Sequence, residues 1–193
     1  MKLDDNVEYA IRVMAGKLKK ARYDTVWLLG GSSGLLLQGV DLSRQPRDID
    51  VYTDSKDAEE IYSLLNDFAT DKLGPSETEI YSSRLAHFHI AGMPLELVSD
   101  FRISTAAGSY HVNVGALFPY SPEVGLGGCK VRLMPLAHEL VFNVLRARED
   151  RYEPIAARMK QAPDQYFPAL ELIVEDNRLT PSVVEQISRL TEV

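Results

Sequence analysis

The 193-residue chain is long enough for one large domain, or for one domain with a helical appendage. Its composition, 45% hydrophobic and 25% charged, is typical of a globular protein with a full apolar core. The net charge of −7 argues against broad electrostatic binding to nucleic acid or to anionic membranes, although it allows a local basic pocket for a phosphate.

Cysteine content and apolar runs indicate where the protein works. Cys129 is the single cysteine, so an intrachain disulfide is excluded and nothing favours secretion. The first residues lack the apolar stretch of a signal peptide, and no later segment approaches transmembrane length. We therefore expect a cytoplasmic protein without a membrane partner. The sequence pattern does not specify an oligomeric state.

The first elements alternate between helix and strand. The N-terminal residues repeat apolar side chains at helical spacing, and residues 25–29 (TVWLL) predict a short buried strand. Gly30 and Gly31 end that strand, and the following SSGLLLQG predicts a short helix. Residues 48–52 (DIDVY) predict the next strand, before a helix that begins at Asp54 or Ser55.

The later elements change from strands to helices. Residues 77–81 predict a strand, and HFHIAG with PLELV predicts a β-hairpin turning at Gly92. HVNVG and KVRLMP predict strands on either side of a Pro/Gly-rich loop, and beyond it the pattern is helical. The expected organisation is a mixed α/β domain over residues 1–135 and a helical C-terminal region over residues 136–193.

The two glycines are suited to contact with an anion. Without a Cβ, Gly30 and Gly31 let the backbone approach a bulky group. The next helix begins with free N–H groups, and Ser32 adds a hydroxyl at the same place. A glycine pair after a strand is in most proteins only a tight turn, so this feature needs support from other residues.

Acidic residues provide that support. On a strand, Asp48 and Asp50 project from one face while Ile49 points to the core. Two such carboxylates repel each other unless a cation lies between them or one of them is protonated, and oxygen ligands of this kind suit Mg²⁺. Glu96, between two leucines, would be costly to bury alone, and is the best third carboxylate, with Asp100 as the alternative. The alternative without catalysis is an interaction module whose aspartates are merely solvated.

These motifs resemble those of the nucleotidyltransferase superfamily typified by DNA polymerase beta, which includes minimal, antibiotic and abortive-infection toxin nucleotidyltransferases. Leu29-Gly30-Gly31 is similar to its first motif, Asp48-Ile49-Asp50 to its second, and Glu96 to its later acidic residue. The resemblance covers roughly residues 24 to 100. It implies an α/β (α+β) fold: a polymerase-beta-like core with a mixed β-sheet flanked by helices, followed by a helical C-terminal part.

The resemblance also implies a mechanism. Asp48, Asp50 and Glu96 would be the catalytic and metal-binding residues of a two-metal Mg²⁺ site. The substrate would be a nucleoside triphosphate whose phosphates rest on the turn formed by Gly30, Gly31 and Ser32. Glu96 would help to activate an acceptor hydroxyl for in-line attack on the α-phosphate. The acceptor stays open between a small molecule, a protein side chain and an RNA end.

Basic residues are less specific. Arg44 or Arg47, in the loop before the aspartates, could pair with a phosphate or with an acidic neighbour, and we include Arg47 among the nucleotide-binding residues. For Arg146, Arg148 and Arg151, a solvated helix face is favoured over contact with a triphosphate.

One helical residue supports a second hypothesis. Asn143 stands where related toxins usually carry a lysine, in the helix that follows the α/β domain. The alternative is therefore a catalytically inactive nucleotide-binding protein of the same fold, with a regulatory or toxin–antitoxin role.

Overall fold

The computed structural model describes residues 2–192. Within them the chain forms eight α-helices: α1 (Asp5–Leu18), α2 (Gly31–Leu37), α3 (Ser55–Leu65), α4 (Val114–Leu117), α5 (Leu136–Leu145), α6 (Glu149–Met159), α7 (Pro163–Asp176) and α8 (Pro181–Thr191). The same residues form nine strands: β1 (Leu28–Gly30), β2 (Ile49–Thr53), β3 (Gly74–Glu77), β4 (Tyr81–Ile90), β5 (Met93–Thr105), β6 (Gly108–His111), β7 (Glu123–Leu126), β8 (Cys129–Arg132) and β9 (Arg178–Leu179). None of these helices combines the length and the apolar character that crossing a membrane requires.

Seven of the strands in the described range form one mixed sheet. The order is β1-β2-β5-β4-β3, with β6 paired to β5 and β9 paired to β6. β2 and β5 run parallel, whereas the other neighbours in this sheet run antiparallel. β7 and β8 form a separate two-stranded sheet. The predicted fold class, a mixed sheet flanked by helices, is confirmed.

The two faces of the sheet contact different helices. Ile49 and Leu97 are buried in an apolar cluster with residues of α1 and α3. Tyr52 and Val98, on the opposite face, are buried in a cluster that includes residues of α5 to α8. Successive side chains of a strand alternate between faces, so Asp50 shares the face of Tyr52. The acidic residues therefore lie on the side of the C-terminal helices.

The strand predicted at residues 25–29 is shifted toward the glycines. Strand pairing begins only at Leu28, because the preceding backbone bonds to side chains. The Val26 amide donates to the Asp57 carboxylate over 3.1 Å, and the Val26 carbonyl accepts from the Thr53 hydroxyl at 2.7 Å. Thr25 likewise donates its hydroxyl to a glutamate of α3. The two Val26 bonds satisfy the backbone of that residue without a strand partner.

Two predicted strands differ in part from the structure. Residues 77–81 are not one strand but the turn between β3 and β4, where the Thr78 amide donates to the Tyr81 carbonyl over 2.8 Å. The hairpin at Gly92 is confirmed: Ala91 and Gly92 both have positive φ, 51° and 87°, as a two-residue type I′ turn requires. Of the strand predicted at HVNVG, only His111 belongs to a strand: β6 ends there, and α4 begins at Val114.

Candidate active site

The turn between β1 and α2 is packed directly against the acidic strand. Gly31 has φ +58°, and a Cβ at this position would overlap the Asp50 carboxylate. A Cβ at Gly30 would lie 2.7 Å from the Tyr52 ring. A larger residue would displace either the turn or the side chain that it meets on β2, so the close approach of backbone and carboxylate requires both glycines.

The strand register aligns the turn with two acidic residues. Gly30 is paired with Asp50 across β1 and β2, and Asp50 with Glu96 across β2 and β5. Asp48, just before β2, lines the same cleft, which has a volume of about 420 Å³. Gly31 and Ser32 line it too. The structure thus brings the two aspartates, the glutamate and the glycine turn together on one face of the sheet.

Asp48, Asp50 and Glu96 form an acidic row, and the pKa values of two of its members are raised. Burial, followed by the charges of Asp48, Glu139 and Glu96, raises the pKa of Asp50 to about 8. Burial also raises the pKa of Glu96, although His87 opposes the effect. Asp50 and Glu96 are thus held close to other carboxylates in an environment that disfavours negative charge, an arrangement that a cation would relieve.

Glu139 is a site residue that the sequence analysis missed. It is the only acidic residue of α5, an otherwise apolar helix, and it is buried. Its carboxylate accepts the Gly31 N–H over 2.7 Å. Burial raises its pKa to about 7, while the Gly31 amide, Arg151 and Arg146 act in the opposite direction. The available signal was a lone glutamate inside an apolar helix, which needs a buried partner.

Three arginines meet at the corner between α5 and α6. Arg146, Arg148 and Arg151 line the cleft rather than forming a solvated helix face, which corrects the favoured interpretation. The chain turns between the helices at Ala147, with φ +53°, and this turn directs the arginines inward. Arg151 Nη1 donates to the Ser32 hydroxyl over 3.1 Å, so α6 contacts the glycine turn.

A second cavity adjoins the cleft. It has a volume of about 460 Å³ and shares Ser32 and Asp48 with the cleft. Arg44 and Arg47 lie on its wall, as do Arg148 and Arg151. Arg47 is therefore next to the acidic row but outside the cleft itself. Four guanidinium groups against the two carboxylates of Asp48 and Asp150 make this cavity a local basic region in an acidic chain.

His87 lies beside Glu96, whereas Asp100, the alternative third carboxylate, lies outside the cleft. His87 Nδ1 lies 2.6 Å from an Asp71 carboxylate oxygen, and His87 Nε2 lies 3.9 Å from Glu96 Oε1. Asp100 instead accepts a hydrogen bond from the Ser55 hydroxyl and does not line the cleft. Of the two candidates, Glu96 is the one beside Asp50.

The carboxylates fit a magnesium site that substrate completes. Among residues 2–192, no group of three or more His, Cys, Asp or Glu side chains is arranged to hold a metal ion by itself. Mg²⁺ usually takes one or two carboxylates and fills its remaining positions with water and substrate phosphates. Asp50 supplies a half-buried carboxylate of raised pKa, with Asp48 beside it, and both are hard oxygen donors.

Comparisons with known proteins agree with this geometry. The family model described as aminoglycoside-2''-adenylyltransferase matches residues 11–135. A candidate nucleotidyltransferase from Thermotoga maritima has a similar structure, with TM-score 0.65 and 24% identity, over 82% of this chain and 96% of that one. ANT(2'')-Ia in complex with adenylyl-2''-tobramycin gives a TM-score of 0.54 and 13% identity, over 88% and 98%. A comparison with curated protein sequences gives no match.

Proposed function

The chain belongs to the aminoglycoside-2''-adenylyltransferase family and is a nucleotidyltransferase, and we propose that it transfers a nucleoside monophosphate from a nucleoside triphosphate to a hydroxyl of a small-molecule acceptor. One observation supports this proposal most: Gly30, Asp50 and Glu96 are aligned across three neighbouring strands and face one cleft. Membership of an enzyme family favours this function over the inactive alternative.

The acidic residues have separate proposed roles. Asp48 and Asp50 would hold Mg²⁺ together with the triphosphate, and Glu96 would contribute where the acceptor binds. The metal would supply neutralisation of phosphate charge and would favour ionisation of the acceptor hydroxyl. Burial raises the pKa of Glu96, which makes it a stronger proton acceptor than a solvated carboxylate.

In the transfer step one bond forms, one bond breaks and one proton moves, so atoms and charge balance. The acceptor oxygen forms a bond to the α-phosphorus, and the bond from that phosphorus to the pyrophosphate oxygen breaks. The acceptor's proton passes to Glu96. Attacking and leaving oxygens lie roughly in line, so pyrophosphate departs on the side opposite the acceptor.

The glycine turn and the arginines would hold the triphosphate. Gly30, Gly31 and Ser32 bring the backbone close to the acidic row, and Arg151 already contacts Ser32. Arg47 lies on the wall of the adjoining basic cavity, where the leaving pyrophosphate would be stabilised by paired guanidinium groups. The adenylyltransferase description of the family favours ATP as the donor.

A pyrophosphate-release assay tests the proposal. Protein, Mg²⁺ and each of the four ribonucleoside triphosphates would be incubated with aminoglycosides such as tobramycin, with neutral glycosides and with a short RNA. We expect release that depends on an acceptor, that EDTA removes, and that Asp50→Asn abolishes. Asp176→Asn, an exposed position on α7, is the matched control and should retain activity. Absence of nucleotide binding in the wild-type protein would contradict the proposal.

A further inference from the structure

The order of the strands fixes the end of the cleft where the acceptor would bind; this step rests on the proposed function. Across the sheet, Gly30 on β1 is followed by Asp50 on β2 and Glu96 on β5, and then come β4 and β3. The triphosphate would lie over the β1 end, beside the basic cavity. Because the acceptor attacks opposite the leaving pyrophosphate, its body extends beyond Glu96, over β4 and β3.

The cleft beyond Glu96 has an aromatic wall. The rings of Tyr81 and Phe142 have centroids 6.2 Å apart, and Phe101 packs against Phe142 at 5.4 Å. All three rings line the cleft, as do the hydroxyl-bearing residues Ser76 and Ser83. Such a surface offers stacking to a flat ring and hydrogen bonds to hydroxyl groups.

Arg146 adds a positive charge to this wall. Its guanidinium carbon lies 4.6 Å from the Phe142 ring centre and 6.0 Å from that of Tyr81. Whereas Arg148 and Arg151 each contact Asp150, Arg146 has no ion pair with any of residues 2–192. Its guanidinium is therefore not neutralised by a direct carboxylate contact, although it is close enough to Asp50 and Glu139 to lower the pKa of both.

The acidic groups of the cleft are committed elsewhere. Asp48, Asp50 and Glu96 form the proposed catalytic row, and Glu139 accepts the Gly31 N–H. The wall beyond Glu96 contributes no further carboxylate to the cleft lining in the part of the chain that the structure describes. A polycation needs carboxylate partners to offset its desolvation, and here it would meet a guanidinium instead.

We propose that the acceptor is a hydroxyl-bearing molecule with a flat ring and no positive charge, bound against the Tyr81–Phe142 aromatic wall and next to Arg146, and not a polycationic aminoglycoside. The rings select for the flat group and Arg146 selects against cations. This discrimination sets the chain apart from the acceptor class in its family's description.

A matched ligand series tests this inference, and variants then check the role of Arg146. With Mg²⁺ and α,β-methylene-ATP bound, calorimetry would measure the affinity of phenyl β-glucoside, its 4-carboxy and 4-aminomethyl derivatives, and tobramycin. We expect the carboxylate to bind about 10-fold more tightly than the ammonium compound, with the neutral glucoside between them and tobramycin weakest. Arg146→Glu should invert that order, whereas Arg189→Glu on α8 should leave it unchanged.

Several results would overturn the inference. The inference is wrong if tobramycin or the ammonium compound binds as tightly as the carboxylate. It is also wrong if no glucoside binds at about 10 mM while α,β-methylene-ATP still binds. Phe142→Ala should weaken the glucosides; if it weakens only the ATP analogue, the ring belongs to the nucleotide base. If the wild-type protein does not bind the ATP analogue, that result would instead contradict the proposed function itself.

Discussion

Replacing Gly31 by alanine should lower the rate of transfer on the order of 100-fold while leaving most of the fold intact. The new Cβ would overlap the Asp50 carboxylate, so either Asp50 turns away or the glycine turn moves off the strand. Each response separates the two groups that would hold the triphosphate and its magnesium. The perturbation therefore acts on the geometry of the site, with no change in its charge.

The magnitude follows from the two responses. Alanine at φ +58° costs about 1–2 kcal/mol in the free energy of unfolding, whichever group moves. If the turn moves, the hydrogen bond from Gly31 to the buried Glu139 is also lost, which adds about 1.5–3 kcal/mol. A displacement of about 1 Å at the reacting groups reduces kcat on the order of 100-fold.

Gly92→Ala is the matched control. Gly92 also has positive φ, 87°, but a Cβ there would meet nothing within 4 Å, since the hairpin tip is open. It should lose a similar 1–2 kcal/mol of stability and keep its activity. Urea denaturation and pyrophosphate release would be measured on both variants. A folded Gly31→Ala protein with wild-type turnover, or equal activity losses in the two variants, would refute the reasoning.

Three further predictions concern charge and hydrogen bonding. The folded pKa of Asp50, about 8, lies above its ordinary value of 3.8, so the native state retains a proton that the unfolded state has lost. The free energy of unfolding of the metal-free protein should therefore fall as the pH rises from 5 to 8, by at most about 4 kcal/mol more than that of Asp50→Asn. Urea titrations in EDTA would measure both proteins. If their free energies of unfolding changed equally with pH, the raised pKa of Asp50 would be wrong. Arg151→Ala removes the contact with Ser32 and should raise the KM for the triphosphate about 10-fold with little change in kcat, which steady-state kinetics would test. Tyr110→Phe leaves His138 Nδ1 without its 2.9 Å partner and should lower the melting temperature, at a cost of about 1–2 kcal/mol, while transfer activity is retained.

Local sequence was enough to locate the motif. The apolar run before Gly30 and the alternation of Asp48, Ile49 and Asp50 are properties of neighbouring residues, and strand geometry converts them into a turn and a shared face. Glu96 was identified because a charge between two leucines is costly to bury without a role. Each of these inferences uses residues that are close in the chain, so none depends on the arrangement of the sheet.

Glu139 and the arginines needed the folded chain. The partner of Glu139, the Gly31 amide, is 108 positions away in sequence, so no local pattern identifies it. Arg146, Arg148 and Arg151 resembled a solvated helix face because spacing alone does not reveal the turn at Ala147. The packing of α5 and α6 against the sheet directs these side chains into the cleft.

The sequence by itself determined the type of fold and the acidic and glycine residues of the candidate site, because periodicity, turn chemistry and the cost of buried charge are local. Only the tertiary structure decided the order β1-β2-β5-β4-β3, which aligns Gly30, Asp50 and Glu96. It also decided that the helical C-terminal region supplies the opposite wall of the cleft. Both depend on contacts between distant segments, whose free energy is gained only when the whole core is packed.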